Sequence, residues 1–248
     1  MKKEGSHTDC FPLLVDDIGK EDIRKIRRTV MNTRGEILYA NAVILAEGET
    51  EEQALGVFLR EYFKKEPFEL GINIIGVGGN NYTPFIRILD RLDIKWYIFS
   101  DGEQKPLEDL KNCLKNLLGE QTVIDLTNFL NIFYIDNGQC FETYCIAQGY
   151  LKEIIRAVCS IEENENYIKE YIVDYNHQKG KGGIIRNYVN DGDGGILRAT
   201  KDCVLSGKTK YATAIAEEIC KAKAKQKRIP RKVFDLFKKI ETDMKVGE

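Results

Sequence analysis

Two groups of acidic residues follow apolar runs that are typical of buried strands. The first run is AVILAE, Ala42–Glu47, and four glutamates fall within six residues at its end: Glu47, Glu49, Glu51 and Glu52. The second run, KWYIFSDGE, ends with Asp101 and Glu103. Hard divalent cations such as Mg²⁺ and Mn²⁺ prefer oxygen ligands of this kind. If the two strands are neighbours in one sheet, these carboxylates predict a metal site.

The four glutamates of the first group need not share one role. Acidic side chains in the first turn of a helix stabilise the helix because they interact favourably with its dipole, and glutamate is usually exposed. We therefore predict that Glu49 and Glu52 are surface charges at a helix start. Glu47 closes the strand and Glu51 lies one helical turn further on, so both are predicted to face the same edge of the sheet.

Apolar runs and amphipathic stretches alternate over residues 42–136 with short connections. The order is strand, helix, strand, helix, strand, helix, strand, which predicts a parallel sheet with right-handed crossovers and helices on both faces. Functional groups gather at the carboxyl ends of the strands in such folds. The sequence GVGGNN after the second strand lacks the spacing of a nucleotide-binding loop, so we expect a tight turn there.

The pattern is mostly helical after Gly138, and a short charged helix is predicted near the N-terminus over Glu21–Asn32. One continuous helix is predicted over Phe141–Ser160, because its apolar residues recur at helical spacing. Further helices are predicted over Asn166–Gln178, Ile196–Gly207, Lys210–Lys225 and Pro230–Met244.

The stretches VILAEGETEE, INIIGVGGNN and WYIFSDGE together resemble the Toprim domain, the catalytic fold of topoisomerases and primases. That family has a glutamate after its first strand and a DxD pair after its third. The form EGxTEE, with a late lysine in GKTKYATAIAEEI, more narrowly resembles the OLD family of nucleases, and the nearest likeness is the nuclease subunit of the Gabija anti-phage system. The resemblance spans about residues 42–219. It implies an α/β fold: a Toprim (Rossmann-like) parallel sheet flanked by helices, with a mostly helical C-terminal part.

The same resemblance implies a metal-dependent DNA endonuclease that uses two ions, Mg²⁺ or Mn²⁺. Carried over by position, the implied metal ligands are Glu47, Glu51, Asp101, Glu103 and Glu142. Lys210 matches the late lysine that would stabilise the transition state, so Glu47 and Lys210 are the expected catalytic residues. Glu103 stands where the family has aspartate, and its extra methylene would let it reach a metal through water. Two cations and a lysine suit phosphodiester cleavage, because negative charge develops in the transition state.

The expected partner is DNA, although a formal net charge of −2 provides no overall attraction to it. The basic run KAKAKQKRIPRK, Lys221–Lys232, is the kind of segment that is usually a solvated face. Beside an acidic nuclease site it would form a track for phosphates. The expected nucleic-acid-binding residues are Lys208, Lys210, Lys223, Lys225, Lys227 and Arg228.

Three segments are expected: an N-terminal extension over residues 1–40, a Toprim nuclease domain over 41–222 with a helical insertion at about 140–195, and a basic C-terminal helix over 223–248. OLD-type nucleases join such a domain to an ATPase, and no Walker A motif is present here. We therefore expect the catalytic portion of an ATPase-coupled anti-phage nuclease, with the ATPase domain missing from this chain, a helicase-like partner and a homo-oligomeric assembly.

Other features of the sequence predict a cytoplasmic protein without membrane association. There is no signal peptide, and no apolar run approaches the length of a membrane span. Seven cysteines without a CxxC pair, beside only two histidines, argue against a zinc site and predict reduced thiols.

Two alternative functions stay open at this stage. One is a primase- or topoisomerase-like Toprim enzyme, although the chain offers no obvious domain for a topoisomerase tyrosine. The other is a nucleic-acid-binding Toprim module that does not cleave, which the unusual Glu103 makes conceivable.

Overall fold

The computed structural model describes residues 2–4, 7–9, 23–24, 27, 35–79, 81–180, 183–189 and 193–245. Most of the helix predicted over Glu21–Asn32 therefore lies outside the described residues. Near the N-terminus, β1 (Lys2–Glu4) and β2 (His7–Asp9) form an antiparallel pair.

The central element is a four-stranded parallel sheet, as the alternating pattern predicts. Its strands are β3 (Ala42–Ala46), β4 (Ile72–Gly76), β5 (Lys95–Ser100) and β6 (Ile132–Tyr134). Their spatial order is β4-β3-β5-β6. The chain forms β4 on one side of β3 and then crosses to the other side to form β5. This reversal makes the gap between the ends of β3 and β5 the topological switch point, where open α/β sheets bind ligands.

Strand β3 lies at the centre of the sheet because its run AVILA has no polar side. All five residues are buried, as is typical of a parallel strand that is covered on both faces. Ala46 pairs with Gly76 of β4 and with Phe99 of β5. The three carboxyl ends therefore finish close to one level, and the residues that follow them emerge at one edge.

In the described part of the chain, four α-helices accompany the strands of the sheet. They are α1 (Glu49–Phe63), α2 (Pro67–Leu70), α3 (Tyr82–Arg91) and α4 (Gln104–Leu118). Six more follow the sheet: α5 (Phe141–Ala147), α6 (Leu151–Ile161), α7 (Tyr167–Tyr175), α8 (Asp193–Ser206), α9 (Lys208–Cys220) and α10 (Arg231–Met244).

Two apolar cores cover the two faces of the sheet, and alternate residues of β3 contribute to each. Val43 and Leu45 pack with residues of α3 and α4, whereas Ile44 packs with α1 and with helices of the C-terminal part. At about 25 cal/mol per Å² of buried apolar surface, these cores supply the main favourable free energy of folding.

Two helices predicted from the sequence have different bounds in the structure. The single helix predicted over Phe141–Ser160 divides into α5 and α6, because Gly149 between them has φ 90°, which a continuing helix does not allow. The basic C-terminal segment is helical only in part. A single 3₁₀ turn, Lys225–Lys227, precedes Pro230, and α10 begins at Arg231.

In the part of the chain that the structure describes, no helix is long and apolar enough to cross a membrane. The described cysteines are all free thiols: Cys113, Cys140, Cys145, Cys159, Cys203 and Cys220.

Candidate active site

Glu47 and Asp101 meet at the switch point, as their positions after neighbouring parallel strands predict. The backbone N–H of Asp101 donates to Glu47 Oε2 at 3.0 Å, and Ser100 Oγ donates to the same oxygen at 3.1 Å. Ser100 is fully buried at the end of β5. Its position directly before Asp101, at the end of a buried strand, is the signal in the sequence for a supporting role.

Glu51 faces the same edge from the first turn of α1. Its side chain is only 4% exposed, and its Oε2 accepts a hydrogen bond from the backbone N–H of Gly48 at 3.0 Å. This bond satisfies an otherwise unpaired donor at the helix N-terminus, in the manner of a capping box. The helix start thus fixes Glu51 beside the strand end that carries Glu47.

Glu142 completes the group from the first turn of α5. The preceding backbone N–H, that of Phe141, donates to Asp101 Oδ1 at 2.8 Å, so Asp101 anchors the start of this helix. Glu142 is 2% exposed, and neither of its buried carboxylate oxygens accepts a hydrogen bond. A buried carboxylate without hydrogen bonds is costly unless a cation balances it. We call Glu47, Glu51, Asp101 and Glu142 the acidic site.

The lysine at the acidic site is Lys208. Its Nζ lies 3.4 Å from Glu142 Oε2. Lys210, which was predicted to be the catalytic lysine, points elsewhere: its Nζ donates to Glu162 Oε1 at 2.6 Å, on the surface. The structure therefore does not bring Lys210 to the acids.

The phase of helix α9 explains which lysine faces the acids. Lys208 precedes the buried Tyr211 and Ala212 by three and four residues, so it lies on the packed face. Lys210 precedes the exposed Thr213 by three residues and lies on the outer face. This periodicity is present in the sequence and could have distinguished the two lysines.

Burial and mutual repulsion raise the pKa values of three of the acids, so a nearby positive charge stabilises their ionised forms. Burial raises the pKa of Asp101 to about 8 and that of Glu51 to about 7, and neighbouring carboxylates add to both effects. Burial also raises the pKa of Glu47, against its hydrogen bonds from Asp101 and Ser100. Burial alone would lower the pKa of Lys208, but nearby acidic groups, Glu142 foremost, raise it overall. One lysine thus faces four carboxyl groups.

Glu103 is set apart from the acidic site. It is exposed at the N-cap position of α4 and lines an open cavity of about 600 Å³ together with Glu47, Gly78, Gly79 and Tyr82. Its charge acts on Glu47 but is not among the main influences on Glu51 or Asp101. Glu103 therefore borders the mouth of the site.

The two predicted surface glutamates have different roles. Glu49 is exposed, as predicted, and accepts a hydrogen bond from Gln53 Nε2 at 3.3 Å. Glu52, however, is half-buried, and its Oε2 accepts the backbone N–H of Gly76 at 3.0 Å. The prediction of a surface charge was wrong for Glu52, because it ties α1 to the end of β4 through a contact that only the folded chain creates.

The predicted phosphate track is only partly available. Lys223, Lys225 and Lys227 are exposed. Arg228 instead bonds Glu61 at 3.2 Å and the carbonyl oxygen of Ala222 at 3.0 Å, so its guanidinium is engaged within the fold.

The acidic site fits divalent cations by its donor chemistry and by the two Glu142 oxygens, which accept no hydrogen bond. Among the described residues, however, no three His, Cys, Asp or Glu side chains are already arranged to hold a metal ion. The hydrogen bonds above suggest why: Glu47, Glu51 and Asp101 each direct one oxygen to a backbone N–H. Cation binding would require these side chains to turn toward a common point.

Comparisons with known proteins identify the kind of domain. Residues 38–102 match the family model described as the Toprim domain of proteins like the overcoming lysogenization defect (OLD) protein. The matched segment ends directly after Asp101. One curated relative, protein YbjD of Escherichia coli (strain K12), is 27% identical over 107 residues, which cover 42% of this chain. The match spans 19% of that relative's own length.

Solved structures extend the likeness over most of the chain. The C-terminal region of the Xanthomonas campestris pv. campestris OLD protein has a TM-score of 0.57 and 22% identity, covering 86% of this chain and 97% of that one. The C-terminal region of the Burkholderia pseudomallei OLD protein has a TM-score of 0.57 and 18% identity, covering 83% and 99%. The parallel sheet with its flanking and C-terminal helices therefore has the Toprim fold of the C-terminal region of OLD proteins.

Proposed function

We propose that this chain is a metal-dependent DNA endonuclease. The observation that carries the proposal is the acidic site at the switch point of a Toprim fold, with Lys208 beside it. Toprim domains generally bind divalent metals. The match to an OLD-like Toprim domain favours cleavage of nucleic acid over other uses of such a site.

The four carboxylates of the acidic site would hold the cations, which we propose are two ions of Mg²⁺ or Mn²⁺. When bound, such ions lower the pKa of a water molecule and offset charge on the phosphate and the leaving oxygen. Glu103, at the mouth of the site, would contribute through water.

Lys208 has the position to act on the reacting phosphate. Its ammonium lies beside Glu142, is half-buried, and keeps its proton because acidic groups raise its pKa. A fixed positive charge at this place would stabilise negative charge that develops in the transition state. We therefore assign to Lys208 the catalytic role that the sequence predicted for Lys210, and we assign to Glu47 the holding of a catalytic ion.

We further propose that this activity belongs to an ATPase-coupled anti-phage defence nuclease of the Gabija kind. The resemblance of EGxTEE and the likeness to C-terminal regions of OLD proteins support this proposal. An ATPase domain, a helicase-like partner and homo-oligomerisation would then be features of the larger assembly. The exposed Lys223, Lys225 and Lys227 would contact the DNA backbone.

A plasmid-nicking assay tests the nuclease proposal. Supercoiled plasmid is incubated with the protein and Mg²⁺ or Mn²⁺, beside a Glu47→Gln variant and a Glu49→Gln control. Glu49 is exposed two residues away, so its substitution removes the same charge from the same segment without touching the site. We expect nicking or linearisation that EDTA abolishes, a loss of about 100-fold or more in Glu47→Gln, and full activity in Glu49→Gln.

Each failure has a different meaning. Equal cutting by wild type and Glu47→Gln would exclude the assigned role of Glu47. A folded wild-type protein that binds DNA but cuts it in neither metal would instead identify a binding module that does not cleave.

A further inference from the structure

Tyr82 is a buried residue near the acidic site and has no role among those assigned to the acids and Lys208. It is the first residue of α3, directly after the glycine-rich turn, and only 1% of it is exposed. Its side chain forms part of the wall of the cavity of about 600 Å³ next to Glu47 and Glu103. Its hydroxyl is buried and makes no hydrogen bond. A buried hydroxyl without a hydrogen bond destabilises the fold, so its presence here calls for an explanation.

Acceptors lie close to Tyr82, yet none of them pairs with its hydroxyl. The charges of Glu47, Glu51 and Asp101 all act on Tyr82. Each of these acids instead takes a hydrogen bond from a backbone N–H. Ser100 is also close and its hydroxyl lowers the pKa of Tyr82, but the two hydroxyls are not at hydrogen-bond geometry, and the single Ser100 proton points to Glu47 or to the carbonyl oxygen of Asp101. Tyr82 thus has a neutral hydroxyl beside these acids that completes no hydrogen bond.

The turn before Tyr82 leaves room for a large ligand. Gly78 and Gly79 both have positive φ, of 70° and 81°, and an added Cβ at either would meet nothing within 4 Å. They line the same cavity as Tyr82. At these two glycines the wall is bare backbone, which allows a polymer backbone to approach closely.

We propose that the Tyr82 hydroxyl donates a hydrogen bond to a non-bridging oxygen of a nucleic-acid phosphate in the acidic site. The inference rests on the proposed nuclease function and adds a residue that contacts the substrate. A neutral donor suits this place, because it contributes a hydrogen bond without competing with cations for the carboxylates. Burial and the surrounding acids keep the pKa of Tyr82 above its ordinary value, so the hydroxyl retains its proton.

The test compares Tyr82→Phe with Tyr97→Phe, which removes the hydroxyl of another buried tyrosine. Tyr97 is 2% exposed on β5, but its hydroxyl donates to Asp243 Oδ2 at 2.8 Å. Three measurements are made on both variants and wild type: the melting temperature in EDTA, kcat and KM for plasmid nicking in Mn²⁺, and binding of a fluorescein-labelled 20-base-pair duplex in Ca²⁺.

For Tyr82→Phe we expect a melting temperature equal to or above that of wild type, because an orphaned hydroxyl is lost. We also expect kcat/KM to fall by about 10- to 100-fold, as for a hydrogen bond to a charged group, with kcat affected more than KM. Tyr97→Phe should show the reverse pattern, a lower melting temperature with unchanged kcat/KM.

Unchanged kcat/KM in Tyr82→Phe, with an active wild type, would overturn the inference and leave the nuclease proposal intact. A melting temperature that falls as in Tyr97→Phe would assign the hydroxyl a structural role and also overturn it. If wild type does not cut, the nuclease proposal fails and duplex binding decides: weaker binding by Tyr82→Phe supports the phosphate contact. Equal binding by both proteins, or binding by neither, overturns the proposed phosphate contact.

Discussion

Two carboxylate–lysine pairs on neighbouring faces of helix α9 have similar groups and very different surroundings. At the outer face, Glu162 accepts hydrogen bonds from Lys210 Nζ at 2.6 Å and from the Tyr211 hydroxyl, and these bonds lower its pKa. At the inner face, Glu142 has Lys208 at 3.4 Å and no hydrogen bond. The first pair is satisfied within the fold, whereas the second is not.

The difference indicates what each pair contributes. A satisfied surface pair holds α6 against α9 and needs nothing further. Charges that the fold buries without satisfying them cost stability, and such sites persist where function requires them. Among the described residues, the buried side-chain atoms without a hydrogen bond are the Tyr82 hydroxyl, both Glu142 carboxylate oxygens and Arg186 Nε. All except Arg186 Nε lie near the switch point of the sheet, where the fold is expected to bind ligands.

Exchanging the two lysines for methionine should give the largest contrast in activity. We expect Lys208→Met to lower the rate of plasmid nicking in Mn²⁺ by about 100-fold or more, because a fixed charge at the reacting phosphate is lost. Lys210→Met should change the rate by less than about twofold, since an exposed ion pair contributes little. Single-turnover nicking rates measure both. A greater loss in Lys210→Met than in Lys208→Met would restore the assignment made from the sequence.

The two glutamates should differ in the sign of their effect on stability. Glu142→Met removes a buried carboxylate that accepts no hydrogen bond and repels Glu51 and Asp101, so the melting temperature in EDTA at pH 8 should rise. Glu162→Met leaves the buried Tyr211 hydroxyl without its acceptor, which costs about 1–3 kcal/mol. Each kcal/mol corresponds to about 2–4 °C in a chain of this length.

Metal titration makes the same pair of variants more informative. Mn²⁺ should raise the melting temperature of wild type and of Glu162→Met by mass action, and raise that of Glu142→Met less. A fall in the metal-free melting temperature of Glu142→Met would show that Lys208 already satisfies this carboxylate and would remove the contrast between the two pairs.

The parts of this site that the sequence predicts are those fixed by topology. Parallel strands end at one edge, so the apolar runs before Glu47 and Asp101 suffice to bring these two acids together. Glu51 follows from helical spacing, since it lies one turn beyond Glu47. The four strands and the layered α/β architecture likewise follow from alternation of apolar runs and amphipathic stretches.

The remaining features depend on contacts between segments far apart in the chain. Glu52 was predicted to be exposed because its partner, the Gly76 N–H, lies 24 residues away. Lys210 was preferred over Lys208 from the resemblance alone, although the phase of α9 favours Lys208. The unsatisfied state of Glu142 and Tyr82 could not be predicted, because a missing hydrogen bond is a property of the complete packed surroundings.

The smallest expected contrast is in pH dependence, and its sign differs between the two regions. Burial raises the pKa of Asp101 to about 8 and of Glu51 to about 7. Between their ordinary values and these, the folded chain binds more protons than the unfolded chain. This contribution to stability is therefore complete at low pH and is lost as pH rises toward 8. Glu162, with its lowered pKa, contributes above its ordinary pKa and loses that contribution as pH falls.

Urea denaturation in EDTA at pH 5.5, 7.0 and 8.5 measures both effects. The free energy of unfolding of wild type should fall from pH 5.5 to 8.5. Asp101→Asn should reduce this fall, because it removes the carboxyl group whose pKa is raised to about 8. Glu162→Gln should lower stability at all three pH values and leave the fall unchanged, since Glu162 is ionised throughout. Saturating Mg²⁺ should oppose the fall, because cations bind more tightly as the carboxyl groups lose their protons. If wild-type stability rose over this interval in EDTA, the acidic site would already be neutralised within the fold, and its difference from the Glu162 pair would vanish.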